Sequence, residues 1–352
     1  MFYHVWDQRR KSYHYDWKGE FNTNRRERIK GALIGVAVGD AMGMPSEMYT
    51  RKAIRETFGR ITGFLPSRPD SPTPRKMNAY EVTDGTAHSV LVIEMLQRTG
   101  GKVDPTIYLA LLQQWMNTFP KSLSVVGPST MKAINAINLG VPMEKAGVTG
   151  TTNGAAMKAA PIGLLPSYGG IAEIAENIRL LSLPTHNTGT AIGAAAAVAA
   201  CVYYVSCGGT DWETYWAYAL EAAQIGMSMG YDLPGPSVAA RINLAKKLVA
   251  EAKDIEDACE SLYNIVGTGL SSTESVPSAL ALAYISNGDP MFCATLCANM
   301  GGDTDTMGAM ACAICGAMQG SESFAKETVD KIMRVNNLDF DVLADQIMTF
   351  GK

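Results

Sequence analysis

The chain has 352 residues, with 34 acidic against 30 basic side chains and a formal net charge of −4, which excludes a surface built to neutralise a nucleic-acid backbone but leaves room for a small anionic ligand. Apolar residues make up 47% and charged residues 18%, enough for a large core and too few charges for a disordered chain. The abundance of Ala, Gly and Met points to closely packed helices and away from a β-sandwich, collagen or a disulfide mini-protein.

Residues 1–28 read as an aromatic-rich N-terminal extension (Tyr3, Trp6, Tyr13, Tyr15, Trp17), whose rings either pack on the body or close over a ligand. Its first ten residues hold Asp7, Arg9 and Arg10 and no apolar stretch of a secretory leader, and the seven cysteines show no disulfide framework. A cytoplasmic protein with reduced thiols is therefore expected. From Gly31 a helix is predicted, carrying Gly31, Gly35, Gly39 and Gly43 on one face. That spacing lets another backbone approach closely, and Asp40 within it favours a soluble core over a membrane dimer face.

Residues 60–78, rich in Pro and Ser, read as a surface loop. Apolar periodicity then predicts helices at 86–98, 106–118, 129–138, 155–165 and 170–181. The Ala-rich segment 190–206 has 17 residues, short of the ~20 that a membrane span wants, so it reads as a buried core helix. Further helices are expected at 212–227, 238–265, 276–285, 291–300, 304–318, 323–334 and 339–350. No alternating strand pattern and no repeat stands out. The expected fold is all-α, with residues 29–352 as one domain, and no membrane partner is expected.

Four segments concentrate acids, hydroxyls and glycines: Gly39–Gly43 with Glu47, Thr83–Thr86, Thr152–Met157 and Gly301–Thr306. In the last, Asp303 and Asp305 alternate with Thr304 and Thr306 at a helix start. Several hard oxygens in so small a volume select Mg²⁺, Mn²⁺ or Ca²⁺ over zinc. The bland alternative is that Asp303 and Thr83 are helix N-caps. A rival zinc site, from Cys293-x3-Cys297 and Cys312-x2-Cys315, lies in helices crowded with Ala and Met, where cysteine behaves as a small hydrophobe.

Taken in order, Gly-Asp-Ala-Met-Gly with Glu47, Thr-Asp-Gly-Thr at 83–86, Asn-Gly-Ala-Ala-Met-Lys-Ala-Ala-Pro from Asn153, Thr185-His186 and Gly-Gly-Asp-Thr-Asp-Thr-Met-Gly-Ala-Met from Gly301 resemble the ADP-ribosylglycohydrolase family, across roughly residues 28–317. The resemblance implies an orthogonal multi-helix bundle with a binuclear Mg²⁺ (sometimes Mn²⁺) site. It implies hydrolysis of an N- or O-glycosidic bond at the ribose C1 of an ADP-ribose-like or ribosyl small molecule, or of an ADP-ribosylated protein. It makes Thr83, Asp84, Asp303, Asp305 and Thr306 the metal ligands. Glu47, Asp303 and Asp305 become the catalytic carboxylates, with Asp303 or Asp305 positioning or deprotonating a water and Glu47 gating or assisting the leaving group.

The same resemblance places Thr149, Thr151, Thr152, Asn153 and Gly154 around a diphosphate, which suits backbone amides ahead of a helix, and His186 beside the ligand. This chain departs from the family pattern at one position: Gly85 stands where the family has a second aspartate. One metal then remains, or another residue substitutes (His88 lies one turn beyond Asp84), or chemistry is lost and the chain is an ADP-ribose- or nucleotide-binding pseudoenzyme.

Overall fold

The computed structural model describes residues 23–351 apart from Tyr168. The aromatic-rich stretch up to residue 22 lies outside the described residues. The first helix, α1 (Thr23–Gly43), begins ahead of the expected Gly31, and Arg26 and Arg28 in its opening turns bond Asp345 and the Met318 carbonyl. There follow α2 (Arg51–Phe58), α3 (Asp84–Thr99), α4 (Pro105–Thr118), α5 (Ser122–Val125), α6 (Pro128–Asn138), α7 (Met143–Ala146), α8 (Ala160–Gly163) and α9 (Gly170–Ser182). The second half holds α10 (Gly189–Ser206), α11 (Trp212–Met227), α12 (Val238–Glu251), α13 (Ile255–Ser261), α14 (Ser272–Ile285) and α15 (Pro290–Ala298). It closes with α16 (Thr304–Gln319), α17 (Lys326–Asn336) and α18 (Phe340–Met348). Among the described residues there is no strand, so the all-α expectation is met.

Two predicted helices are broken. The segment 155–165 becomes a 3-10 turn at Asn153–Ala155 followed by the short α8, because the Asn-Gly turn and Pro161 confine regular hydrogen bonding to brief stretches. The segment 238–265 splits at Ala252, and Asp254 restarts the chain as an N-cap by accepting from the Asp257 amide. A π-turn, Leu262–Val266, then ends the segment. Apolar periodicity ran across both breaks; the capping residue did not.

The glycine stripe explains how the bundle is centred. Helix α1 packs antiparallel on α16, and a Cβ added at Gly31, Gly35, Gly39 or Gly43 would lie 2.0–2.4 Å from a backbone oxygen of Gly316, Cys312, Gly308 or Thr304. Two backbones in direct contact leave no slack in rotation or translation. The end of α1 is thereby fixed against the start of α16, where the Asp303–Thr306 segment lies. The Ala-rich α10 is buried by its neighbours along nearly its whole length, as expected of a core helix. The four cysteines of α15 and α16 are buried and free. They form no metal-ligating group among the described residues.

Candidate active site

Two glycines with positive φ, Gly301 (+74°) and Gly302 (+77°), turn the chain into α16. A side chain at Gly302 would collide with the Thr268 carbonyl 2.2 Å away. The turn is clamped from both sides: the Met48 amide donates to the Gly302 carbonyl at 2.7 Å, the Gly302 amide to Tyr49, and the Asp303 amide to Thr268. The clamp and the glycine seam carry Glu47, Asp303 and Asp305 together, with one carboxylate oxygen of each within 4.8 Å of the others and all three residues buried.

Asp303 is held by the Asn153 side-chain amide at 2.6 Å, which also reaches Ser275. Asp305 accepts from the Thr306 amide and stands 3.3 Å from the Thr83 hydroxyl. Asp84 is buried in the first turn of α3, with the Gly127 backbone amide nearby. Glu47, Asp84, Asn153, Asp303, Asp305 and Thr306 line a cleft of about 280 Å³, walled also by Thr73, Arg75, the 124–128 segment, Thr130, Thr152, Gly154, Met157 and Leu270.

Asp40 works behind the cleft. Its Oδ1 accepts from the Thr83 amide (3.0 Å) and hydroxyl (2.6 Å), and its Oδ2 from the Thr86 amide (2.9 Å) and hydroxyl. A carboxylate from α1 therefore caps α3, in place of the Thr83 side chain, and sets the register of Thr83 and Asp84.

So many acids in a dry volume do not ionise freely. Burial, then the neighbouring Asp305 charge, pushes Asp303 well above the ordinary carboxylate range, and the same causes in the same order push up Glu47. Burial raises Asp84 to about 7, against the opposing charge of Arg75. Asp40 is lifted to about 6, by burial first and then by Asp305.

The predicted site residues divide into those that meet and those that do not. Glu47, Thr83, Asp84, Asp303, Asp305 and Thr306 converge, and Thr152, Asn153 and Gly154 reach the cleft wall. Thr149 and Thr151 do not line it. Thr149 is exposed, and Thr151 gives its carbonyl to the Ser272 amide, pinning the loop to α14. Asn153 spends its side-chain amide on Asp303 and its backbone amide on the Leu270 carbonyl, so it positions a carboxylate.

His186 does not line the cleft but lies directly behind its wall. It is fully buried beneath the loop, bonded to the hydroxyls of Thr152 (3.0 Å) and Thr185 (2.8 Å), and a Cβ on Gly154 would strike its ring at 2.8 Å. Its role is to support the loop. His88 does not replace the aspartate absent at position 85: it points into the interior edge-on to Trp115, and both ring nitrogens lack hydrogen-bond partners.

Three contributors were not singled out as site residues from the sequence, although Lys158 lies inside the motif that begins at Asn153. Arg75, from the Pro- and Ser-rich loop, drives its guanidinium into the acid cluster: Nη2 donates to Glu47 Oε1 at 2.7 Å and Nη1 to Asp305 Oδ2 at 2.9 Å, with Nη1 also against Glu47 Oε2. The entry to α6 supplies Gly127, Pro128 and Thr130. Lys158 is wholly buried over the Tyr108 ring, 4.5 Å from its centroid; burial depresses it to about 7 while Asp84 opposes the fall.

The donor set suits a hard divalent cation: buried carboxylate oxygens converging from separate elements, with the Thr83 and Thr306 hydroxyls at hand. In the structure the positive charge among them is the Arg75 guanidinium.

A family model described as ADP-ribosylglycohydrolase matches residues 22–351. The chain is 37% identical over 327 residues to the uncharacterized protein YegU of Escherichia coli strain K12, covering 93% of this chain and 98% of that one. It is 33% identical over 302 residues to an uncharacterized protein of Archaeoglobus fulgidus, covering 85% and 88%. It is 25% identical over 314 residues to the ADP-ribosylarginine hydrolase Tri1 of Pseudomonas putida strain GB-1, covering 87% and 74%. A solved structure titled ADP-ribosylglycohydrolase-related protein complex superposes with a TM-score of 0.68 at 21% identity, covering 94% of this chain and 100% of that one. That likeness is one of fold.

Proposed function

Because the chain belongs to the ADP-ribosylglycohydrolase family, we propose that it hydrolyses an N- or O-glycosidic bond at the ribose C1 of an ADP-ribosyl or related ribosyl substrate, with Mg²⁺ or Mn²⁺ as cofactor. The observation that carries this reading is the convergence of Glu47, Asp303 and Asp305 on one buried spot of the cleft.

Asp303 at the N-cap of α16 with Asp305 and Thr306 in its first turn, and Thr83 at the N-cap of α3 with Asp84 in its first turn, would hold the cation. When bound, such an ion supplies a grip on the ribose hydroxyls and lowers the pKa of a water. Asp303, kept in place by Asn153, or Asp305 beside it takes a proton from the attacking water. The new bond forms between that water oxygen and C1, and the bond from C1 to the leaving nitrogen or oxygen breaks with its electron pair passing to the leaving group. Glu47 gates or assists the departure of the leaving group, which takes up the proton that the water surrendered. Charge that builds on C1 in the oxocarbenium-like transition state is stabilised by the surrounding carboxylates.

The test incubates the purified protein with ADP-ribosyl-arginine peptide, ADP-ribosyl-serine peptide and free ribonucleosides, with Mg²⁺, with Mn²⁺ and with EDTA. Turnover of at least one substrate is expected, stopped by EDTA and lowered about 10²–10⁴-fold in Asp303→Asn, the range for loss of a positioned proton-transfer group. Turnover that survives both, or none under any condition, rejects the reading. A second reading, a site that binds ADP-ribose without cleaving it, draws on Gly85 and on the guanidinium among the acids. Tight ADP-ribose binding by calorimetry with no turnover would favour it.

A further inference from the structure

We propose that Arg75 is an intrinsic cation of the site, so that its guanidinium and a divalent metal ion are alternative occupants of the same oxygens. It rests on the proposed function only in taking the acid cluster to be the metal site.

The geometry gives the competition directly. Arg75 bonds Glu47 and Asp305, two of the three residues whose carboxylate oxygens converge. Arg75 holds Oδ2 of Asp305, which is among the residues assigned to the cation, and both oxygens of Glu47, so an ion that takes Asp305 Oδ2 or draws Glu47 into its shell must displace the guanidinium. Charge gives the reason the guanidinium goes there. Glu47, Asp84, Asp303 and Asp305 line a single buried cleft, where unpaired carboxylates are costly. A guanidinium carries a permanent charge and two terminal nitrogens that reach two carboxylates at once, as Arg75 does with Glu47 and Asp305.

The way Arg75 is held marks it as exchangeable. Its Nε is buried with no hydrogen-bond partner, whereas an arginine in a pocket made for it satisfies its donors. The carboxylates, and not a tailored shell, keep it in place. The segment that delivers it has no helix or strand; beside Arg75 it is tied down by Met77, buried with Met44 and Val125 and bonded to Ser67 through both amide and carbonyl, and by the Thr73 hydroxyl, 3.5 Å from Glu47 Oε2. Both partners also lie next to residues in the sparsely populated left-handed region, Met48 (φ +63°) after Glu47 and Lys76 (φ +52°) after Arg75.

Gly85 sharpens the point. A side chain there would press on Ala309, 3.3 Å from its Cβ, and face Asp40, 3.6 Å from its Oδ2, and this chain puts no carboxylate at that point. With one acid fewer to neutralise, a single monovalent guanidinium goes further in balancing the cluster.

The experiment titrates Mn²⁺ into the wild type, Arg75→Gln and Lys76→Gln by calorimetry. Lys76 is exposed, so its variant removes a nearby charge without emptying the site. Arg75→Gln is expected to bind Mn²⁺ at least tenfold more tightly than the wild type, and Lys76→Gln within twofold of it. Equal or weaker binding by Arg75→Gln, including no binding by either protein, overturns the proposal. Hydrogen exchange on the wild type alone decides the case if Arg75→Gln does not fold: saturating Mn²⁺ should speed exchange of the 73–77 amides several-fold, and unchanged protection refutes displacement. Neither readout involves turnover, so this proposal and the hydrolase reading can fail separately.

Discussion

Replacing Asp40 tests how α1 holds the site. The carboxylate accepts two donors from Thr83 on Oδ1 and two from Thr86 on Oδ2, all inside the protein. Its ionised form is itself costly there. A rise from 3.8 to about 6 corresponds to roughly 3 kcal/mol at pH 7, at 1.36 kcal/mol per unit. Asp40→Asn and Asp40→Ala both remove that charge, so the charge term cancels in their comparison. Asparagine keeps one acceptor oxygen and can still serve one threonine, while its amide group faces the donors of the other. Alanine serves neither.

The two variants therefore differ by two buried donors left unpaired, at about 1–3 kcal/mol each, or roughly 2–6 kcal/mol. The threonine hydroxyls can rotate toward other acceptors, which favours the lower end. Urea unfolding at pH 7.5, followed by tryptophan fluorescence, should place Asp40→Ala at least ~2 kcal/mol below Asp40→Asn. If the two lie within ~0.5 kcal/mol of each other, Asp40 is not the cap of α3 and its control of Thr83 and Asp84 is refuted.

Two further outcomes are expected. At the helix seam, Gly39→Ala puts a methyl 2.0 Å from the Gly308 carbonyl oxygen and should cost ~3 kcal/mol or more, because two backbones must separate. Gly63→Ala, with nothing within 4 Å, should change stability by less than ~0.5 kcal/mol; similar melting temperatures for both variants would contradict the seam. His88 stays neutral in the fold because burial depresses it well below 6.5, with Lys158 adding to the effect. Its unfolded form takes up a proton near pH 6.5, so the stability tied to His88 is present above that pH and is lost as the pH falls. His88→Phe should therefore gain on the wild type by about 1.4 kcal/mol per pH unit below 6.5, and a constant gap between pH 7.5 and 5.5 would rule this out.

What the sequence by itself determined is local. The 3.6-residue spacing of apolar side chains placed Trp212–Met227 to the residue and most other helices to within a few, since burying one face of a helix dictates that period. The glycine stripe announced a backbone contact, since only a residue without a side chain lets two helices approach so closely, and the alternating acids and threonines of 303–306 announced a cluster of oxygen-bearing side chains. Tertiary structure decided what fills the space between remote segments. Arg75 sits on a loop with no periodicity, and nothing local distinguishes it from Arg68, which pairs with Asp70 in solvent. His186 and Asn153 carry groups able to bind a ligand, but the hydroxyls of Thr152 and Thr185 and the carboxylate of Asp303 take those groups first. A side chain's chemistry is written in its identity; its partner is set by which surfaces the packed helices bring within 3 Å, and that depends on the whole chain at once.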